Sequence, residues 1–89
     1  MIPTRRSPTH PGEILLEEFL KPKGMTQVEF AFKIGVPIQR INTLINGKRA
    51  CTAETALLLS KALGTSPEFW MNLQTTFDLF EAKNRLKAA

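Results

Sequence analysis

The stretch Thr26–Arg49, TQVEFAFKIGVPIQRINTLINGKR, decides how this 89-residue chain folds. Thr26-Gln27-Val28-Glu29 is a capping box. The Thr26 side chain is expected to accept from the Glu29 amide, and Glu29 to reach back to the amide of Thr26. The helix opened there is predicted to run to about Ile34 and to stop at Gly35, which takes positive φ after a helix end. A second helix is predicted from Pro37, where a fixed φ suits a first turn, to Asn46-Gly47. Ile38, Ile41, Leu44 and Ile45 follow helical spacing within it. Two helices crossing steeply need a small residue where they approach, and Ala31 supplies one. The second helix needs buried anchors, and Ile41 and Leu44 supply them.

The charge of this stretch is one-sided. No acidic residue lies between Glu29 and Glu54, while Lys33, Arg40, Lys48 and Arg49 all fall there. Residues 1–50 carry eight Lys or Arg against four Glu, and residues 51–89 carry four cations against four acids. The whole net charge of +4 therefore sits in the half that holds the two helices. That asymmetry suggests a polyanionic partner. A modest excess of this size also serves solubility alone, so the charge points to nucleic acid only together with the helix pattern. A compact pair of helices with a basic second member is what a reader of the DNA major groove requires.

Outward from this stretch the pattern stays helical. Residues 1–9 are polar, hold Pro3 and Pro8, and read as an arm, leaving residues 10–89 as a single domain. A first helix begins near Pro11, buries Ile14, Leu15, Leu16, Phe19 and Leu20, and is ended by Lys21-Pro22-Lys23-Gly24. Thr52 caps a fourth helix over about Ala53–Leu63, which stops at Gly64. Ser66, Pro67 and Glu68 form a strong start for a fifth. In that helix Trp70, Leu73, Phe77 and Phe80 recur at spacings of three and four, and the pattern extends toward Leu86. No segment alternates like a strand, so the expected class is all-α with five helices. Trp70 and Leu73 suit the core. Phe77 and Phe80 have two readings, completion of the core or a dimer or partner surface, and the second is preferred because a helix overrunning a small core tends to bury its extra face between subunits.

Gln27, Ala31, Gly35, Ile41 and Leu44 together resemble the helix-turn-helix of lambdoid phage repressors and the wider XRE-type regulators. His10-Pro11-Gly12-Glu13, Leu44 to Arg49, and Ala62 to Gln74 (ALGTSPEFWMNLQ) extend the likeness to the HigA/VapI group of antitoxins, over about residues 8–80. The Gly64–Gln74 piece discriminates most, since generic phage repressors lack it. The resemblance implies a lambda-repressor-like domain that binds operator DNA as a homodimer and represses its own operon. It also implies neutralisation of a RelE-like ribonuclease toxin by binding. A stand-alone regulator without a toxin is the alternative, and a pure protein-interaction module is a third class.

The exposed start of the second helix of the pair is expected to face base edges through Ile38, Gln39, Asn42 and Thr43. Gln39 is the best candidate, because Gln pairs bidentately with adenine. Relatives often carry a basic or polar residue at the position of Ile38, which here either meets a thymine methyl or packs. Gln27, Arg40, Lys48 and Arg49 are the expected phosphate contacts, Gln27 by its match to the phage repressors. Arg5 and Arg6 in the arm are candidates for an adjacent groove.

An enzyme is not expected. The chain has one His, one Cys, one Asp and no Tyr, with no metal-ligand cluster, nucleophile elbow or Gly-rich phosphate loop. No cofactor is implied. His10 reads as a helix-start residue and Cys51 as a small filler. A single cysteine fits a reducing cytoplasm. No apolar run reaches membrane-spanning length, and Arg5-Arg6 are not followed by the apolar core of a signal peptide.

Overall fold

A computed structural model describes residues 8–88, and all regular structure in them is helical. Helix α1 (Pro11–Ile14) continues without interruption as a π-helical segment (Leu15–Leu20). It is followed by α2 (Gln27–Ile34), α3 (Ile38–Ile45), α4 (Ala53–Leu63) and α5 (Pro67–Ala88). Arg5 and Arg6 lie outside the described residues.

The local signals act largely as their chemistry requires. Thr26 and Glu29 form the reciprocal capping box, with Glu29 N to Thr26 Oγ1 at 3.0 Å and Thr26 N to Glu29 Oε1 at 2.8 Å. Thr52 Oγ1 accepts from Thr55 N and Ser66 Oγ accepts from Phe69 N. Gly35 closes α2 at φ 74°, where its amide bonds the Phe32 carbonyl and the Val36 amide bonds that of Ala31. This pair of bonds satisfies carbonyls that the helix end would otherwise orphan.

Two local expectations need correction. Pro37 is not the first helical residue of α3. It is the N-cap, extended at ψ 145°, and the helix begins at Ile38 with no side-chain cap. The first helix is not α-helical throughout. Lys21 N donates to Leu16 O, five residues back, at 2.9 Å. Pro22 follows and has no N–H to continue an α-helical ladder. The wider π turn places Leu15 and Leu20, five apart, on one face, and both are fully buried.

The core is built around Trp70, Phe30, Leu15, Leu20, Ile41, Leu44 and Leu59, all with almost no exposure. Phe19, Phe69 and Trp70 pack as an aromatic group, with centroids 5.4 Å apart for Phe19–Trp70 and 5.0 Å for Phe69–Trp70. The indole Nε1 donates to Thr65 Oγ1 at 2.6 Å, so Trp70 is buried with its polar atom satisfied. Ala31 of α2 is buried in the same core.

Two further contacts fix the placement of α3. A Cβ on Gly12 would lie 1.8 Å from the Leu44 carbonyl oxygen and 2.8 Å from Ile45 Cα, so α1 lies backbone against backbone on the end of α3. Gln74, buried in α5, accepts from Cys51 N at 2.7 Å through Oε1 and donates to Asp78 Oδ1 at 2.8 Å. It thereby ties the α3–α4 connection to α5. Cys51 is buried, and desolvation pushes its thiol pKa up to about 11, which suits a filler and not a nucleophile.

Candidate nucleic-acid interface

Helix α3 turns Ile41 and Leu44 into the core and leaves Ile38 and Gln39 on the outside, with Asn42 and Thr43 half-buried. Spacings of three and four residues put Gln39, Asn42 and Thr43 along one face. Ile38 is 37% exposed, at the open end of that face. Gln27 starts α2, half-buried, directly after the Thr26 cap. The expected base-facing residues are thus collected on one helix, with Gln27 opening its neighbour.

The cations divide into two groups. Lys33, Lys48 and Arg49 are exposed. Arg40 differs from the expectation of a free phosphate contact. Its side chain is only 25% exposed, and Nη2 lies 3.4 Å from Glu54 Oε1 and 3.3 Å from Thr55 Oγ1. The guanidinium links the middle of α3 to the start of α4, and Glu54 offsets its charge. Sequence spacing gave no sign of this, because Glu54 is fourteen residues away.

Thr43 also departs from its simple role. Its hydroxyl donates to Gln39 O at 2.8 Å and accepts from Arg49 Nε at 3.0 Å. The chain returns over α3 because Gly47, at φ 74°, reverses it: Gly47 N bonds Leu44 O and Lys48 N bonds Thr43 O. The run Lys48-Arg49 is therefore folded back onto the exposed face of α3.

His10 caps α1. Its Nδ1 accepts from Gly12 N at 2.9 Å, so Nδ1 carries no proton and the neutral ring holds its hydrogen on Nε2. Burial lowers its pKa below the usual value, with the charges of Asp78 and Glu13 pulling the other way. The ring packs edge-on against Phe77 at a centroid distance of 4.9 Å. Phe77 is thus engaged within the chain. Phe80 is half-buried and lines a shallow groove with Pro8, Thr76, Leu79 and Lys83, while Leu79 beside it is 66% exposed. Residues that sequence reasoning missed are Gly12, Gln74 and Glu54. The first had a signal, a glycine inside a helix start, which often marks close backbone approach.

Among the described residues no group of His, Cys, Asp or Glu could hold a metal ion, and no helix is long and apolar enough to cross a membrane.

Comparison with known proteins places these features in a family. The helix-turn-helix family HTH_3 matches residues 16–70. Antitoxin HigA-1 of Vibrio cholerae is 44% identical over 82 residues, spanning 92% of this chain and 77% of that protein. Among solved structures, the antitoxin GraA in complex with its operator superposes with a TM-score of 0.82 at 42% identity, over 94% of this chain and 85% of GraA. Pseudomonas aeruginosa antitoxin HigA with the higBA promoter gives 0.85 at 35% identity, over 88% and 85% of the two chains. The all-α, lambda-repressor-like arrangement expected from the sequence is thus shared with proteins solved on their operators, and the chain belongs to the XRE-type helix-turn-helix family and, within it, to the HigA antitoxins.

Proposed function

We propose that this chain binds double-stranded operator DNA as a two-fold homodimer, represses its own operon, and neutralises a RelE-like ribonuclease toxin by direct binding. It is not an enzyme; its family acts by binding. The observation that carries the DNA reading is the outer face of α3, held rigidly on buried Ile41 and Leu44, in a fold whose relatives GraA and HigA are solved with operator DNA.

In this reading α3 enters the major groove. Gln39 and Asn42 meet base edges, and Ile38 meets a thymine methyl. Gln27 and Lys48 bind phosphate, with the amides at the starts of α2 and α3 adding anion contacts. Arg40 keeps α3 in place against α4. Two recognition helices would sit about 34 Å apart, one turn of DNA. The homodimer is proposed to form through α5, where Phe80 and exposed Leu79 and Leu86 offer apolar surface.

The test combines two measurements. The chain is co-expressed with the product of the adjacent gene, and the complex is tested for gel shift of a duplex carrying the promoter of its own gene. Co-purification, a shift that competes with shuffled duplex only weakly, and relief of toxicity in cells support the whole reading. A shift without any partner leaves a stand-alone regulator. No shift at low salt refutes the DNA-binding function.

A further inference from the structure

We propose that Arg49 is a base reader for guanine, and that Thr43 is the positioning residue that holds it in place. This inference rests on the DNA-binding reading above and assigns two residues of that same face different roles from phosphate contact and direct readout.

Three observations carry it. First, Arg49 lies beyond the end of α3, yet its Nε donates to Thr43 Oγ1 at 3.0 Å. The guanidinium therefore sits back over the helix and not on the flank of the domain. Second, Thr43 is one turn after Gln39 on the same face, and its hydroxyl donates to Gln39 O at 2.8 Å. That bond orients the hydroxyl lone pairs toward Arg49. Third, the turn that returns the chain is itself fixed, by Gly47 at φ 74° and by Lys48 N bonded to Thr43 O at 2.9 Å.

The chemistry follows from what remains uncommitted. Arg49 makes no ion pair and no further hydrogen bond among the described residues. With Nε occupied, its Nη1 and Nη2 groups retain their N–H bonds in one plane. A planar pair of donors matches the O6 and N7 acceptors of guanine in the major groove. The same fork would also bind a phosphate, but its position over the Gln39–Thr43 face puts it beside bases once α3 lies in the groove. A pre-organised guanidinium also loses less side-chain freedom on binding than a free one. Thr43 has its hydroxyl engaged on both sides, so it holds a reader instead of reading.

Selection from a duplex pool randomised in sequence tests this with wild type, Arg49→Lys, Arg49→Ala, Thr43→Val and Thr43→Ser. The wild type is expected to enrich one guanine per half-site that Arg49→Ala and Arg49→Lys no longer select. The loss of discrimination there should be roughly five- to 150-fold, the range for one bidentate base contact. Thr43→Val should weaken the same preference, and Thr43→Ser should restore it. If instead Arg49→Ala weakens all sequences equally and lowers the salt slope by about one, it binds phosphate and the proposal fails. If the wild type enriches nothing, the DNA-reading function itself fails. A measurement on the free protein is independent of that outcome: the Arg49 Hε resonance should be resolved and protected from exchange in the wild type and lost in Thr43→Val. An unprotected wild-type Hε overturns the clamp.

Discussion

Replacing Gly12 by Ala should strongly destabilise this protein, although helix propensity alone predicts the opposite. Ala is the better helix former by about 1 kcal/mol, and Gly12 is in α1 without a positive φ that would forbid a side chain. The obstacle is tertiary. The added Cβ would stand 1.8 Å from Leu44 O, 2.5 Å from Leu44 C and 2.8 Å from Ile45 Cα. All three are backbone atoms of α3, so no rotamer change relieves them. Ordinary contact begins near 3.4 Å, so α1 must withdraw from the end of α3 by about 1.6 Å. Forcing extra volume into a well-packed site costs about 1–3 kcal/mol, and rigid backbone on the opposing side places this case at the upper end. For a domain of this size each kcal/mol lowers Tm by about 4–8 °C. Thermal melting followed by circular dichroism should therefore show a fall of well over 10 °C. A Tm equal to or above wild type would refute the close α1–α3 approach.

Other predictions concern the ties around α3. Gln74→Leu removes the acceptor for the buried Cys51 amide and should cost about 1–3 kcal/mol, read as a lower urea midpoint; an unchanged midpoint would mean that amide is satisfied otherwise. Stability should fall as pH drops below about 6.5. The unfolded chain binds a proton on His10 more readily than the folded one, whose His10 pKa burial lowers against the pull of Asp78 and Glu13. Protonation of Nδ1 also abolishes the bond from Gly12 N. His10→Asn keeps a helix cap without titrating, so the difference in Tm between the two proteins from pH 7.5 to 5 isolates this term, and parallel curves would contradict it. Lys48→Ala should weaken binding to promoter and shuffled duplex alike and reduce the salt slope by about one, whereas an intact slope removes Lys48 from the phosphate contacts.

The sequence made the ends of elements legible because capping is local chemistry. The Thr26–Glu29 box, the Ser66 cap and the reversal at Gly35 each depend on residues close together in the chain, and each stands where it was expected. Period collected Ile38, Ile41, Leu44 and Ile45 on α3, and of these the structure buries Ile41 and Leu44 and leaves Ile38 exposed. What stayed hidden depends on contacts between distant segments. Arg40 reads as a free cation until α4 brings Glu54 and Thr55 beside it. Phe77 reads as surplus apolar surface until the α1 cap brings His10 against it. Gln74 belonged to the stretch that carried the family resemblance, yet its tie to the Cys51 amide spans 23 residues and has no periodic signature. Thr43 shares a face of α3 with Gln39, as its spacing requires, but the Gly47 turn brings Arg49 to its hydroxyl, a contact six residues away that no periodicity marks.

The face of α3 as a reader of base sequence is tested most directly through Gln39, which is exposed there and whose backbone carbonyl takes the Thr43 hydroxyl while its side-chain amide lies on the outer surface. The measurement is the affinity of Gln39→Ala for a duplex carrying the promoter of its own gene and for a shuffled duplex, at one salt concentration. Loss of roughly five- to 150-fold on the promoter, with little change on the shuffled duplex, is the predicted result. Equal loss on both, or none on either, would contradict sequence readout by this face.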